Sequence, residues 1–227
     1  MSLTTGRGPL SPNPLGRFSA PVPAGLVYVE PYPRRVRGLV GECTVIDSER
    51  VQLVHRPGLP TTYAFPSEDV PPELALPEPE VPGHVAVPWN TVDAWYEEDE
   101  HLRFNKYPKN PYHRVDCLRT SRRLRVEVGG AVLVDTTDTI VLYETALPPR
   151  LYVAKEAVRM DLLRASESSS WCSYKGHASW WHVRVNDTLI RDAAWSYEDP
   201  LEESSTLRGL LSFDENLATV ICTLAGA

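Results

Sequence analysis

The sequence predicts a mainly β protein made of two similar small modules of antiparallel strands, with one or two short helices in each module. Three observations lead to this fold class. Short runs of alternating apolar and polar residues recur along the chain. Twenty-one prolines and thirteen glycines among 227 residues favour many turns over long helices. One block of sequence also occurs twice, which indicates a duplicated unit.

The repeat divides the chain. Residues 35–70 align without gaps on residues 123–158, a shift of 88 positions. The residues shared at equivalent positions are Arg35/Arg123, Arg37/Arg125, Gly41/Gly129, Asp47/Asp135, Leu59/Leu147, Pro60/Pro148, Glu68/Glu156 and Val70/Val158. Further on, "DAWYEED" resembles "AAWSYED" at a shift of 100. The organisation expected from this repeat is a disordered or loosely packed arm at residues 1–25, a first and degenerate β module at 26–120, and a second β module at 121–227.

The second copy shows the elements most clearly. In "RLRVEVGGAVLVDT", Leu124, Val126 and Val128 share one face before a Gly-Gly turn, which predicts a β-hairpin. The stretch "TIVLYET" is typical of a β-branched strand. In "KEAVRMDLL" the four-residue spacing of Val158 and Leu162 predicts one short helix. The first copy has two prolines there, in "SEDVPPELAL", so its helix is expected to be truncated or lost.

A second hairpin follows, turning near Asn186. Strand alternation places Trp181 on one face and Trp180 on the other. The stretch "DPLEE" predicts a short helix capped by Asp199, with Glu202 completing a capping box. The runs "GLLSF" and "ATVICTL" are expected to close the module as strands.

Composition excludes several classes of function. The net charge of −7 disfavours a protein that binds nucleic acid through its phosphates. No window reaches the roughly 18 consecutive apolar residues of a membrane span, and the first 25 residues lack the apolar run of a secretory signal. The four cysteines are far apart and form no Cys-x-x-Cys pair. We therefore expect a cytoplasmic protein with reduced thiols that contacts neither nucleic acid nor a membrane.

The stretch "WCSYKGHASWW", residues 171–181, contains the candidate chemistry. Lys175 lies three residues after Cys172 and could lower the pKa of its thiol, making it a nucleophile with Glu144 as acid or base. The alternatives are that Cys172 is a small buried residue and that Lys175 only forms an ion pair with Glu144. His177 and His182 are five apart in strand-like sequence, so no metal site and no cofactor are expected.

Aromatic residues are concentrated in the same part of the chain. A planar group stacked on an aromatic ring gains roughly 1–3 kcal/mol, and a cation over tryptophan roughly 0.5–2 kcal/mol. Core packing is the alternative for these rings. The residues predicted to line a ligand pocket are Glu144, Arg150, Tyr152, Tyr174, Lys175, Gly176, Trp180, Trp195 and Tyr197.

Three motifs carry a resemblance to a known family. They are Glu-x-x-x-Pro-Pro-Arg from Glu144, Cys-x-Tyr-Lys-Gly from Cys172 and Trp-x-Tyr-x-x-Pro from Trp195. In this order they resemble domain-of-unknown-function family 427, also labelled nucleotidyltransferase-like, over most of residues 121–227. The first copy resembles the N-terminal half of the family's double-domain bacterial members. The resemblance implies a β-tent fold, whose relatives carry zinc or an aromatic ligand cage, and implies no established reaction.

The chain departs from that family in ways that affect function. Trp180 stands where the family commonly has tyrosine, and Ala154 where it commonly has proline. No Gly-Ser followed by paired aspartates is present to hold magnesium and triphosphate. The first copy lacks Cys-x-Tyr-Lys-Gly, so it is expected to form a wall or a partner surface rather than a second site.

Three hypotheses follow from these residues. The favoured one is a binding module for a small planar or cationic metabolite, because no histidine lies where it would serve Cys172 as a base. An enzyme using Cys172, Lys175 and Glu144 for group transfer or hydrolysis is the second. A structural or interaction protein whose aromatics are all core is the third. The ligand's identity and the oligomeric state stay open.

Overall fold

The computed structural model describes residues 7–223, so the start of the predicted arm and Leu224 of the last predicted strand lie outside the described residues. The chain divides into two compact units, Met1–His113 with Thr145–Leu147, and Arg114–Glu144 with Pro148–Ala227. The division falls before residue 114 and not after residue 120, so a strand assigned by sequence to the first module lies in the second unit. Among residues 7–223, no helix has both the length and the apolar character needed to span a membrane.

The described part of the first unit, from residue 7 on, contains nine strands in two antiparallel sheets, ordered β1-β4-β5-β7-β6 and β3-β2-β8-β9. The strands are β1 Tyr28–Pro31, β2 Val36–Val40, β3 Cys43–Ser48, β4 Gln52–His55, β5 Thr62–Pro66, β6 Leu76–Pro77, β7 His84–Ala86, β8 Ala94–Glu97 and β9 Glu100–His101. Its three short 3-10 helices are Ser67–Asp69, Pro72–Leu74 and Trp89–Thr91.

Up to residue 223, the second unit has ten strands in three antiparallel sheets, ordered β10-β13-β14, β12-β11-β19 and β15-β16-β17-β18. The strands are β10 Val115–Thr120, β11 Arg123–Val128, β12 Ala131–Thr136, β13 Thr139–Glu144, β14 Arg150–Tyr152, β15 Leu163–Cys172, β16 Gly176–Val185, β17 Thr188–Ser196, β18 Leu211–Phe213 and β19 Thr219–Thr223. Its 3-10 helices are Lys155–Ala157, Met160–Leu162 and Glu202–Leu207. The mainly β class with short helices is confirmed.

The β16–β17 hairpin is the element that positions the candidate site. Along it, Val183 and Ala194 pack into one apolar cluster with β11 and β12. Ala178 and Tyr197 pack into a second cluster with β13 and β14. The sheet is therefore apolar on both faces, which is why its residues do not alternate simply between core and solvent.

The repeat is visible in the strand pairing. Tyr28 of β1 pairs with His55 of β4, and at a shift of 88 positions Asp116 of β10 pairs with Tyr143 of β13. The β2–β3 hairpin has an irregularity after Gly38, and the β11–β12 hairpin has one at the equivalent place. The structural repeat therefore starts at β1, ahead of the region in which sequence identity is recognisable.

The second block of sequence similarity does not mark equivalent strands. The strand β8 that contains Trp95 pairs with β2, whereas the strand β17 that contains Trp195 pairs with β16 and β18. The strand β11 is the equivalent of β2 in the second unit, and it pairs with β19 and not with β17. Only the short strands β6 and β7 lie between the paired 3-10 turns and β8 in the described part of the first unit, so the long β15–β16–β17 meander has no counterpart there.

The predicted helix in "KEAVRMDLL" is wrong. Two 3-10 turns form there instead, Lys155–Ala157 and Met160–Leu162. Val158 between them is extended and bridges to Val134, and Arg159 donates its backbone N–H to the Leu133 carbonyl at 2.9 Å. Pairing with β12 thus replaces continuous helix.

The first copy does not lose this element. Its turns Ser67–Asp69 and Pro72–Leu74 occur at the equivalent positions. Pro72 occupies the first position of its turn, where no backbone N–H is needed. The two copies therefore share the same pair of turns despite the prolines.

The predicted cap at Asp199 is also wrong. The 3-10 helix begins at Glu202 without a side-chain cap, and Asp199 accepts a hydrogen bond from Arg208 Nη1 at 2.7 Å. Pro200 lies beside Gly176 in an isolated bridge, which holds the chain extended before the helix. The hairpin turn at Asn186 is confirmed, and the positive φ of 51° at that residue is typical of a tight hairpin.

Candidate ligand-binding site

The stretch 171–181 forms the tip of the β15–β16 hairpin and the first half of β16. Cys172 and Gly176 are paired across the tip, and Lys175 donates its backbone N–H to the Cys172 carbonyl at 3.3 Å. Gly176 has a φ of +94°, and a Cβ there would lie 3.3 Å from the backbone nitrogen of Leu201. The observed reason for glycine is thus close approach of the chain's own backbone, since Leu201 donates its N–H to the Lys175 carbonyl at 3.1 Å.

Lys175 and Glu144 form an ion pair inside the second unit. The Lys175 Nζ donates to Glu144 Oε2, and the two side chains are only 9% and 8% exposed. Glu144 ends β13 and Lys175 lies in the hairpin tip, so the pair ties two sheets together. Two charges this buried are stable only as partners, because each would otherwise lose its hydration without compensation.

Arg150 belongs to a different group of side chains. Its guanidinium pairs with Glu215 at 3.0 Å and lies 5.9 Å from the centre of the Trp195 ring. Of the predicted pocket residues, Glu144 and Lys175 thus form the ion pair that was the structural alternative for them, whereas Arg150 pairs elsewhere. Arg150 is partly exposed, with a third of its side-chain surface open to solvent (32%), so it can reach a ligand.

Trp195 is the centre of the aromatic group. Its ring lies 5.4 Å from that of Trp180 and 6.4 Å, edge-on, from that of Tyr152. The Trp195 Nε1–H donates to the Tyr152 hydroxyl at 3.1 Å, and the Trp180 Nε1–H donates to Ser170 Oγ at 3.1 Å. Both tryptophan residues are half-buried, so neither is fully covered by the core.

The remaining predicted pocket residues are buried. Tyr152 and Tyr197 belong to the apolar cluster under β16, and Tyr174 is 8% exposed. Burial raises the pKa of the Tyr152 and Tyr197 hydroxyls, so both stay protonated. Trp181 lies on the opposite face as alternation predicts, and its Nε1–H donates to Ser196 Oγ at 2.9 Å.

Cys117 is a neighbour of this site that sequence reasoning missed. It pairs with Leu142 in the β10–β13 ladder and packs on the cluster that contains Tyr152. Burial raises the pKa of the Cys117 thiol, and the positive charge of Lys175 only partly offsets this. Extending the 88-residue shift back to Val29 would have placed Cys117 in a strand paired with β13, but its contact with the Tyr152 cluster has no signal in the sequence.

The thiol of Cys172 is half-buried at the hairpin tip. The ammonium group predicted to activate it, Lys175 Nζ, donates to Glu144. His177 is exposed, and His182 Nδ1 accepts the backbone N–H of Asp192 at 3.0 Å. Among residues 7–223, no three His, Cys, Asp or Glu side chains cluster in a way that could hold a metal ion.

Residues 116–223 match the family profile described as "Domain of unknown function (DUF427)". The match covers the second unit and begins within β10, where the structural repeat also begins. No curated protein matches the chain. The part of the chain that resembles the DUF427 family is therefore the second unit, residues 116–223, a little under half of the sequence.

Proposed function

We propose that the DUF427 unit is a binding module for a small planar or cationic metabolite, held against the open ring surface of Trp180 and Trp195. The observation that carries this proposal is the Trp195 indole, half-buried between the Trp180 ring at 5.4 Å and the Arg150 guanidinium at 5.9 Å. A tryptophan that served only as core would be covered. Here two indoles present ring surface beside a charged side chain.

The chemistry of these groups defines the ligand class. A flat π-system gains roughly 1–3 kcal/mol by stacking on one indole. Arg150 supplies hydrogen-bond donors at the edge, and Glu215, whose side chain is half exposed (50%), supplies acceptors. A planar ligand with polar edges, such as a nucleoside-like molecule, satisfies both kinds of group.

The Glu144–Lys175 pair lies next to the start of β16, the strand that contains Trp180. Each charge neutralises the other, and the pair holds the hairpin tip against the end of β13. We assign it a positioning role: it fixes the start of β16, and Trp180 follows five residues after Lys175.

The test uses two probes, adenosine as a neutral planar molecule and N-methylpyridinium as a planar cation. Addition of adenosine to the full chain is expected to shift the indole N–H resonances of Trp180 and Trp195 in a ¹H–¹⁵N spectrum. The indole resonance of Trp95, which is buried in the first unit, is the internal control and should stay in place. If neither probe moves the Trp195 resonance at millimolar concentration, the proposal fails.

Arg150→Gln distinguishes the two ligand classes. Removing this positive charge should strengthen binding of N-methylpyridinium, because a like charge no longer lies 5.9 Å from the Trp195 ring. Adenosine binding should stay the same or weaken. Tighter adenosine binding by the variant would contradict a role for Arg150 at the ligand edge.

The enzyme hypothesis has a weaker basis. It requires Lys175 to act on Cys172 or on a substrate, and the Lys175 ammonium is buried against Glu144. A nucleophilic cysteine also needs an activating base or cation at the thiol.

A cytoplasmic location is part of the proposal, because all four cysteines are free thiols.

A further inference from the structure

The first unit contains a cavity of ≈ 410 Å³. It lies between the β4–β5 connection, the Trp89 turn and the segment that follows Asn105. Tyr63, Leu76, Trp89 and Pro108 are among its walls. Its volume falls within the roughly 300–1,000 Å³ of small-molecule sites.

The walls of this cavity are apolar, because their polar atoms are bonded within the protein. The Trp89 Nε1–H donates to the Asn105 carbonyl at 2.9 Å, and the Tyr63 hydroxyl donates to Glu97 Oε1 at 2.5 Å. Thr61 Oγ1 donates to the Pro108 carbonyl at 2.9 Å, which closes one side of the cavity. Ring surfaces and proline carbons therefore face the space, which favours a flat apolar molecule.

Both charged residues that line the cavity are cationic, Arg56 and Lys106. Arg56 donates to the buried carboxylate of Glu78 and to Thr62 Oγ1, so part of its hydrogen-bonding capacity is used. Lys106 is exposed at the rim. A ligand with a single negative charge would meet Lys106 first and the open edge of Arg56 second.

The ion pair of Arg56 has a counterpart in the second unit in which the positive and negative partners are exchanged. Arg56 follows β4 at the position equivalent to Glu144 in β13. In the second unit the strand end carries the acid, and its partner Lys175 comes from a later segment. In the first unit the strand end carries the base, and its partner Glu78 comes from a later segment. The first unit has thus kept an ion pair at the strand end with the signs exchanged.

From this cavity and its charge we infer that the first unit is a second ligand site, which takes a flat apolar molecule bearing one carboxylate. A fused-ring aromatic acid is the chemical class that fits. The sequence predicts a wall or a partner surface here rather than a second site, and the inference departs from that prediction because this copy contains a cavity although it lacks Cys-x-Tyr-Lys-Gly. The inference does not depend on the function proposed for the second unit.

The experiment compares three probes of one shape on the full chain: 2-naphthoate, 2-naphthamide and 2-naphthylmethylammonium. Calorimetry is expected to show one high-affinity site for 2-naphthoate, with affinity at least about tenfold above that for the other two. In a ¹H–¹⁵N spectrum, 2-naphthoate should shift the indole resonance of Trp89 at concentrations lower than any that shift that of Trp195. Equal or tighter binding of the ammonium probe would overturn the assignment of an anion, and a shift confined to Trp195 would overturn the site.

A matched pair of charge variants completes the test. Lys106→Gln removes the exposed cation at the rim and should weaken 2-naphthoate binding roughly two- to fivefold, as expected for one exposed ionic contact. Arg103→Gln makes the same change in net charge at an exposed residue that does not line the cavity, and should have no effect. If the two variants weaken binding equally, the charge acts at long range and the inferred contact is wrong.

Discussion

At the scale of single residues, burial decides what Lys175 and Glu144 can do. Both charges are nearly removed from water, and each is stabilised by the other. Removing one partner of such a pair leaves an uncompensated buried charge, whereas replacing both partners removes the need for compensation. Substitution of one partner should therefore lower the free energy of unfolding more in this pair than in the exposed ion pairs of the chain.

Lys175→Met is expected to lower the free energy of unfolding by about 3 kcal/mol, because Glu144 is left buried without a cation. The double variant Glu144→Gln/Lys175→Met should recover most of this loss. Urea unfolding followed by tryptophan fluorescence measures both. As a control, Arg114→Met removes the partner of exposed Asp116 and should cost at most about 1 kcal/mol. A double variant no more stable than Lys175→Met would show that the pair is not the cause.

The cysteines give a second test at this scale. Cys43 is exposed, and Cys117 is partly buried with the pKa of its thiol raised by burial. Iodoacetamide reacts with the thiolate, so at pH 8 Cys117 should label at least about tenfold more slowly than Cys43. Peptide mass spectrometry of the native protein measures each rate. Equal rates would contradict the burial of Cys117, and rapid labelling of Cys172 below pH 7 would favour the enzyme hypothesis.

At the scale of elements, the two repeated hairpins share one ion pair. Arg35 contacts Asp47 through two hydrogen bonds of 2.7 and 2.5 Å, and Arg123 contacts Asp135 through two of 2.7 Å. Each pair joins neighbouring strands near the open end of its hairpin, so it stabilises the register of the two strands.

This pairing predicts a dependence of stability on pH. The hydrogen bonds from Arg123 hold the pKa of Asp135 below its usual range. A carboxylate with a lowered folded-state pKa stabilises the fold above its unfolded pKa of roughly 4 and loses this contribution as the pH falls through the folded value. Arg123→Gln should therefore lower the thermal midpoint at pH 7 more than at pH 2. An equal effect at both values would mean that the pair does not stabilise the hairpin.

At the scale of the whole molecule, the two units share their first five strands and differ afterwards. The common part runs from β1 to β5 in one unit and from β10 to β14 in the other, each followed by the same two 3-10 turns. Each candidate site combines residues of the common part, such as Arg56 and Arg150, with residues of the part that follows, such as Trp89 and Trp195. The diverged parts therefore contribute an indole ring to each proposed site.

The second unit has its own two apolar clusters, which predicts that it folds by itself. A fragment of residues 114–227 should unfold cooperatively in urea and keep the indole resonances of Trp180 and Trp195 seen in the full chain. Circular dichroism and a ¹H–¹⁵N spectrum measure these properties. A fragment without dispersed resonances would show that the unit requires the first one.

The sequence by itself determined the fold class, the duplication and the hairpins. Alternation at Leu124, Val126 and Val128 records burial on one face of a strand, and this information lies within a few residues. The DUF427 family was also recognisable from three short motifs. Even the separation of Trp180 from Trp181 followed from strand parity.

Only the tertiary structure decided which partners these residues have. Val158 is extended because it meets β12, although its local sequence favours a helix. Lys175 is paired with Glu144, 31 positions away, and Arg150 is paired with Glu215 instead. The cavity beside Trp89 lies in the copy that lacks the motif. Each of these outcomes depends on how strands distant in sequence are brought together, and a local pattern contains no record of that geometry.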